Sequence, residues 1–213
     1  MDLPGCGSSE FAKNPSSDYS MAGLKAFVLN FAKALDLKNV LYVGHSLGGN
    51  ILLDIGENLH NAKGILVFGT PPVNKNSAPD YFFPHPSVPL WYKGDLSKAD
   101  IQLMVDSAFR KGYKNKYIAE EVISKSDTNF RTAFAASLPD GNFSDEIYFV
   151  GNTKIPIAVF HGENDQLINV DYFSKLKFSS LWRNKVQLIK NTGHSPQYEN
   201  PEMFNKLLIE LFE

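Results

Sequence analysis

Three residues whose types together carry out nucleophilic acyl transfer stand where strand-like runs of this chain end. Ser46 lies in Gly44-His45-Ser46-Leu47-Gly48. The apolar run Val40-Leu41-Tyr42-Val43 precedes it, and a helical pattern follows, with Ile51, Leu52, Ile55 and Leu59 at three- and four-residue steps. A G-x-S-x-G between a strand and a helix reads as a nucleophile elbow, a turn so tight that the serine backbone is strained and its side chain projects from the sheet. Both flanking glycines are expected to be required, because side chains there would clash where turn and helix pack. A serine hydroxyl is a weak nucleophile until a base takes its proton. His194 is the candidate base, in Asn191-Thr192-Gly193-His194 after the strand-like Val186-Gln187-Leu188-Ile189. Asp165 is the candidate orienting acid, in His161-Gly162-Glu163-Asn164-Asp165 after an apolar run over 155–160. A carboxylate so placed accepts the imidazole hydrogen bond and sets the tautomer.

Each of these residues also has a plain structural reading. Ser46 could sit in a Gly/Ser turn, and Asp165 could be an ordinary turn or helix-start residue. Asp171, the competing carboxylate, falls where a helix should begin. The other histidines carry less: His45 reads as a packing or loop residue, His60 as a helix end, His85 as part of a proline-rich loop, and His161 as the end of a strand.

The chain resembles the α/β-hydrolase family on four motifs. Asp2-Leu3-Pro4-Gly5-Cys6-Gly7-Ser8-Ser9 is similar to the family's D-L-P-G-H-G-x-S segment, with Cys6 where histidine is usual. Gly44-His45-Ser46-Leu47-Gly48-Gly49 resembles the elbow, and His161-Gly162-Glu163-Asn164-Asp165 the H-G-x-x-D acid loop. Gly193-His194-Ser195-Pro196-Gln197-Tyr198-Glu199-Asn200-Pro201 resembles the G-H-x-x-x-x-E-x-P histidine loop. The order Ser46, Asp165, His194 is that of this fold and not of chymotrypsin or subtilisin. The resemblance implies a mostly parallel α/β sheet flanked by helices, and a catalytic triad. The backbone N–H of Leu47, the residue after the nucleophile, becomes an oxyanion donor. In the family, strands and an H-G loop with the second oxyanion donor come before the D-L-P-G segment. The expectation is therefore that the natural protein carries further N-terminal residues, and that this chain alone leaves residues 40–43 as a sheet edge.

The elements needed to hold these residues can be read along the chain. Ser20 reads as the N-cap of a helix with Met21, Leu24, Phe27, Val28, Phe31 and Leu35 on one face. A strand over 39–44, a helix over 47–59 and a strand over 63–69 follow. Strand, helix, strand with short connections means a parallel sheet. The rhythm breaks at Thr70-Pro71-Pro72. Proline and aromatic residues lead into helical stretches: one capped by Ser97 with Ile101, Met104, Val105 and Ala108, one over 117–123, and one with Phe130, Ala133, Phe134 and Ser137. The resemblance implies that such an insertion is a cap, so residues 71–150 are expected to form a helical cap inserted in a core made of 1–70 and 151–213. Phe82, Phe83, Trp91, Tyr92, Phe130 and Phe134 are the candidate substrate-binding residues. Asn200 and Pro201 read as cap and first position of the last helix, with Phe204, Leu207, Leu208 and Leu211 on its buried face.

Composition narrows the class. The chain has 213 residues, 43% hydrophobic and 21% charged, with a formal net charge of -2. These are the proportions of an ordinary globular domain, and the charge draws it to neither nucleic acid nor an anionic membrane. Cys6 is the single cysteine, so no internal disulfide framework and no cysteine metal cluster is expected. No cofactor or metal is expected, and the partner is a small-molecule substrate. No apolar stretch reaches spanning length, and a cytoplasmic location fits. Composition leaves the oligomeric state open. The expected activity is hydrolysis of a small carboxylic ester through an acyl-enzyme. The alternatives are carbon–carbon bond hydrolysis by the same triad, or an inactive truncated fragment. Serine at the elbow argues against dehalogenase and epoxide hydrolase chemistry, where a carboxylate attacks.

Overall fold

Successive residues of a strand point to opposite faces of its sheet, and two apolar strands of this chain are divided in that way between two cores. In the computed structural model, which describes residues 1–77, 80–115, 117–140 and 143–213, α1 (Pro15–Asp18) and α2 (Met21–Leu35) lead to β1 (Val40–His45), α3 (Leu47–Asp54) and β2 (Ala62–Phe68). After a long excursion come β3 (Ile157–Gly162) and β4 (Gln187–Ile189). Among the described residues these form a four-stranded sheet in the order β1-β2-β3-β4, with every pairing parallel. Ile65, Val67, Ile157 and Val159 enter one core with α2 and α3, whereas Leu66, Phe68, Ala158 and Phe160 enter the other. The second core is closed by Phe204 and Leu207 of the C-terminal helix, Pro201–Phe212. Parallel strands covered on both faces read as continuous apolar runs, as β2 and β3 do.

The expected caps set the helix boundaries. The Ser20 hydroxyl accepts from Gly23 N, and the Asn200 side chain accepts from Met203 N at 3.1 Å. The helix expected over 47–59 is shorter. It gives way to a 3-10 turn at Gly56–Asn58, where a Cβ on Gly56 would meet the Phe149 ring at 2.2 Å. The strand expected from 155 begins at Ile157, because Pro156 has no N–H for the ladder and contributes only its carbonyl, to Ile65 N at 2.9 Å. The apolar face of α2 is only partly covered: Met21, Leu24 and Val28 are buried, while Phe31 and Leu35 are exposed. β1 stands at one end of the strand order, and Val43 is exposed on it.

The excursion holds α4 (Lys98–Ser107), α5 (Tyr117–Lys125), α6 (Thr128–Ser137) and α7 (Glu146–Asn152). Positions 78, 79, 116, 141 and 142 of the expected cap lie outside the described residues. Ser97 and Asp100 form a reciprocal capping box that starts α4. Met104, Val105, Ala108, Phe109 and Ile123 make a separate small core, whereas Phe149 and Val150 of α7 join the sheet core. The start and end of the excursion meet at Glu146. Its Oε2 accepts from Val73 N and Asn50 Nδ2, both at 2.9 Å, and its N–H donates to Val73 O at 3.1 Å. Among the described residues no helix is long and apolar enough to cross a membrane.

Two stability measurements check this packing. Phe160 has no exposed surface and its ring contacts Phe204 and Trp182. Phe160→Ala is expected to cost about 3–5 kcal/mol in urea denaturation, and exposed Ile209→Ala to stay within about 0.5 kcal/mol. The second concerns Glu146, whose carboxyl is fully buried, which pushes its pKa well above the ordinary 4.5. The folded chain therefore binds this proton more tightly than the unfolded chain, and stability falls as pH rises from about 4.5 toward the folded-state value. Glu146→Gln cannot ionise. Its stability relative to the parent is expected to climb across that window and to show no pH-dependent gain below it.

Candidate active site

The parallel pairing brings the C-terminal ends of all four strands to one edge of the sheet, and the candidate residues follow those ends. Ser46 comes directly after β1, Gly69 after β2, Asp165 three residues after β3 and His194 five residues after β4. Ser46 has φ 51° and ψ −120°, a region that costs a non-glycine residue about 1–3 kcal/mol. The surroundings hold it there. Its N–H continues the β1–β2 ladder to Phe68 O at 3.0 Å, and its carbonyl accepts from Gly49 N at 2.9 Å and from Thr70 Oγ1 at 3.0 Å. Leu47 N lies at the first position of α3, where helix geometry leaves an N–H without an intrahelical acceptor and the helix dipole favours negative charge.

The glycines of the elbow are not equivalent. A Cβ on Gly44 would meet Gly48 O and the Gly49 backbone at 2.7 Å, so that position must be glycine. The expectation for Gly48 is corrected: a Cβ there meets nothing within 4 Å, because the position faces the open cavity. The tight approach falls one residue later, where a Cβ on Gly49 would lie 2.2 Å from Thr70 Oγ1.

His194 and Asp165 are both buried, and His194 Nδ1 lies 2.9 Å from Asp165 Oδ2. A carboxylate only accepts, so Nδ1 carries the proton and Nε2 is left as the basic nitrogen. The other oxygen, Asp165 Oδ1, accepts from Leu167 N at 2.8 Å and Ile168 N at 3.1 Å. Burial works to raise the Asp165 pKa, but His194, His161 and the Leu167 N–H together outweigh it and hold the carboxyl below its ordinary value. The acid and histidine loops are also bonded to each other, through Asn164 N to Thr192 O at 2.8 Å and Glu163 N to Ile189 O at 3.1 Å. Asp171 lies apart from this contact, in a 3-10 turn where its N–H is capped by Asn169.

Burial lowers the pKa of two neighbouring histidines. Burial, and then the proximity of His194, pushes His45 down to about 3. Its ring stacks on Phe68 with centroids 4.7 Å apart, and its Nε2 lies 2.8 Å from His194 O. A carbonyl only accepts, so this nitrogen bears the proton. His45 thus packs, as its sequence position suggests, and also fixes the backbone of His194. Burial likewise lowers the His161 pKa. His60 and His85 lie elsewhere, with His85 Nδ1 2.8 Å from Ser87 Oγ.

Ser46 and His194 line one cavity of about 1700 Å³, which extends along the exposed side of β1. Phe82, Trp91, Tyr92, Phe130 and Phe134 line it as well; Phe83 is not among the lining residues. Phe83 N instead bonds Leu167 O at 2.8 Å, which ties this segment to the acid loop. Several residues that shape the site gave no signal in isolation. Gly69, with φ +58°, leaves room for the imidazole, since a Cβ there would lie 2.9 Å from His194 Cε1. A Cβ on Gly162 would lie 2.0 Å from Gly193 O. The glutamate of the histidine-loop motif, Glu199, accepts from Gly193 N and from Arg110 N. Only its place in that motif marked it.

Comparison with known proteins gives a consistent assignment. The model of a family described as the alpha/beta hydrolase family matches residues 1–207. The chain is 24% identical to an uncharacterized hydrolase, YugF, of Bacillus subtilis, over all of this chain and 79% of that protein. Its structure is similar to that of an N-acyl homoserine lactonase, AidH, in complex with N-hexanoyl homoserine lactone, with a TM-score of 0.92 and 27% identity over 99% of this chain and 77% of the other. An esterase from Exiguobacterium antarcticum shares the fold, with a TM-score of 0.79 at 15% identity, covering all of this chain and 80% of that one.

The two adjacent elbow glycines offer a direct check. Gly49→Ala is expected to displace the elbow from Thr70 and to lower both the melting temperature and the labelling of Ser46 by a fluorophosphonate. Gly48→Ala is expected to leave the melting temperature unchanged within about 2 °C.

Proposed function

We propose, for a chain that belongs to the alpha/beta hydrolase family, a serine hydrolase activity on small carboxylic esters and lactones with an apolar acyl chain. One observation carries this reading: a serine held at positive φ on a strand-to-helix turn opens into the same apolar cavity as an imidazole whose far nitrogen is bonded to a buried carboxylate. In this mechanism His194 Nε2 takes the proton of Ser46 Oγ as the oxygen attacks the carbonyl carbon. Asp165 stabilises the imidazolium that forms. The tetrahedral oxyanion accepts from Leu47 N. His194 then gives its proton to the leaving alkoxide, which departs as the alcohol from an open ester or stays tethered as a hydroxyl on the opened lactone, and in both cases an acyl group is left on Ser46. Water, deprotonated by His194, attacks the acyl-enzyme; the acyl–Oγ bond breaks, His194 returns the proton to Ser46 Oγ, and the acid is released.

Residues 71–150 act in this reading as a cap. Phe82, Trp91, Tyr92, Phe130 and Phe134 provide the wall against which an acyl chain packs. The similarity to a lactonase solved with an N-acylated homoserine lactone supports an acylated, ring-closed or open ester as the substrate class.

The test is turnover of p-nitrophenyl butyrate and N-hexanoyl homoserine lactone by the purified chain and its Ser46→Ala variant. The expected result is a loss of about 10³-fold or more in kcat in the variant, with fluorophosphonate labelling of the parent at Ser46 alone. Undiminished turnover by Ser46→Ala would remove Ser46 as the nucleophile.

A further inference from the structure

The C-terminal end of α4 and the residues that follow it are bonded to both loops that carry the His194–Asp165 pair. Gln166, directly after Asp165, donates from Nε2 to Asp106 O at 3.0 Å and to Phe109 O at 2.7 Å. Glu199 accepts from Arg110 N at 2.9 Å through Oε1, and from Gly193 N, the residue before His194, through Oε2. Tyr113 OH donates to Tyr198 O at 3.0 Å. The backbones touch as well: a Cβ on Gly193 would lie 2.2 Å from Arg110 N. The Glu199 carboxylate is closed to solvent, and Phe109 is buried.

These contacts are costly to build. A buried carboxylate spanning two backbone N–H groups, and a side-chain amide spanning two carbonyls, leave polar atoms unpaired if either partner moves. Segment 106–110 is therefore held in one position relative to His194 and Asp165. It also reaches the substrate cavity, whose lining includes Ala108. Placement of the imidazole and placement of the cap wall are thus one geometric variable.

We infer that Gln166 and Glu199 are positioning residues that clasp segment 106–110 to the acid and histidine loops, so that the seated cap holds the His194–Asp165 hydrogen bond in its productive geometry. The inference rests on the catalytic reading above. Small displacements of a catalytic group are costly, with about 1 Å worth up to 10²-fold in rate. Glu199→Gln keeps one acceptor oxygen and presents an NH₂ to the other backbone N–H, so it opens one of the two ties. Gln166→Ala removes the ties to Asp106 and Phe109 without placing a new polar atom.

The experiment compares the parent, Gln166→Ala, Glu199→Gln and the double variant, with Lys93→Ala as control. Lys93 pairs with Asp100 on the exposed side of α4. Two readouts are taken at a temperature where circular dichroism shows every variant folded. One is kcat and KM on p-nitrophenyl butyrate. The other is the far-downfield proton resonance of His194 Nδ1–H, which depends on the Asp165 hydrogen bond and needs no turnover. Each clasp variant is expected to lose about tenfold in kcat with KM changed by less than about twofold, the double variant losing less than the product of the two. The resonance is expected to broaden or vanish in the clasp variants and to persist in Lys93→Ala. An unchanged resonance in both clasp variants overturns the inference, as does a rise in KM at constant kcat, which would mean that the segment contacts substrate instead. A parent without turnover refutes the catalytic reading, and the resonance then decides the clasp by itself. Absence of the resonance from the parent overturns the clasp inference outright.

Discussion

A carboxylate removed from water must be met by hydrogen bonds or it does not remain charged. Asp165 is met three times: by His194 Nδ1 on one oxygen and by Leu167 N and Ile168 N on the other. The arrangement around this group follows from that requirement. The loop after β3 must curl so that two of its own N–H groups point at Oδ1. The loop after β4 must bring its imidazole to Oδ2. The two loops must lie close enough to share backbone bonds, as they do between Asn164 and Thr192. Breaking such a buried pair by removing one partner typically costs about 3–5 kcal/mol, so the pair acts as a lock between the ends of β3 and β4.

Close approach of backbone to backbone is the second constraint. Gly44, Gly49, Gly69, Gly162 and Gly193 each stand where a Cβ would fall within 3.0 Å of another atom. They lie in a row along the C-terminal edge of the sheet. The elbow touches the turn after β2, that turn touches His194, and the histidine loop touches both the acid loop and the chain after α4. Two cores hold this edge from below, one on each face of the sheet. Their separation follows from the alternation of side chains along β2 and β3.

The excursion between β2 and β3 is bound to this edge at both of its ends. Glu146 joins its start and finish to Asn50 in the helix that follows Ser46. Glu199 and Gln166 join its middle to the histidine and acid loops. A buried acid with a raised pKa serves the first junction, and burial likewise raises the Glu199 pKa at the second. Polar groups kept in these places cost stability but accept only one arrangement of their partners.

Much of this was legible from local pattern. Apolar runs of strand length, the Ser20, Ser97 and Asn200 caps, and glycine and proline at turns act over a few residues, so their consequences can be read from a few residues. The parallel sheet follows from the strand-helix rhythm, and Ser46, Asp165 and His194 were marked by standing after strand-like runs. What separate segments do to each other was not legible. Phe82 and Phe83 are neighbours of the same chemistry, yet only Phe82 lines the cavity, because Phe83 N is tied to Leu167 O. Gly48 and Gly49 are adjacent glycines, and only Thr70, twenty-one residues beyond the second, makes one of them obligatory. Glu199 was a letter in a motif until Arg110 and Gly193 came within reach of its two oxygens. Hydrogen bonding and steric exclusion act over a few ångströms in space. Only the folded chain decides which distant residues come within that range.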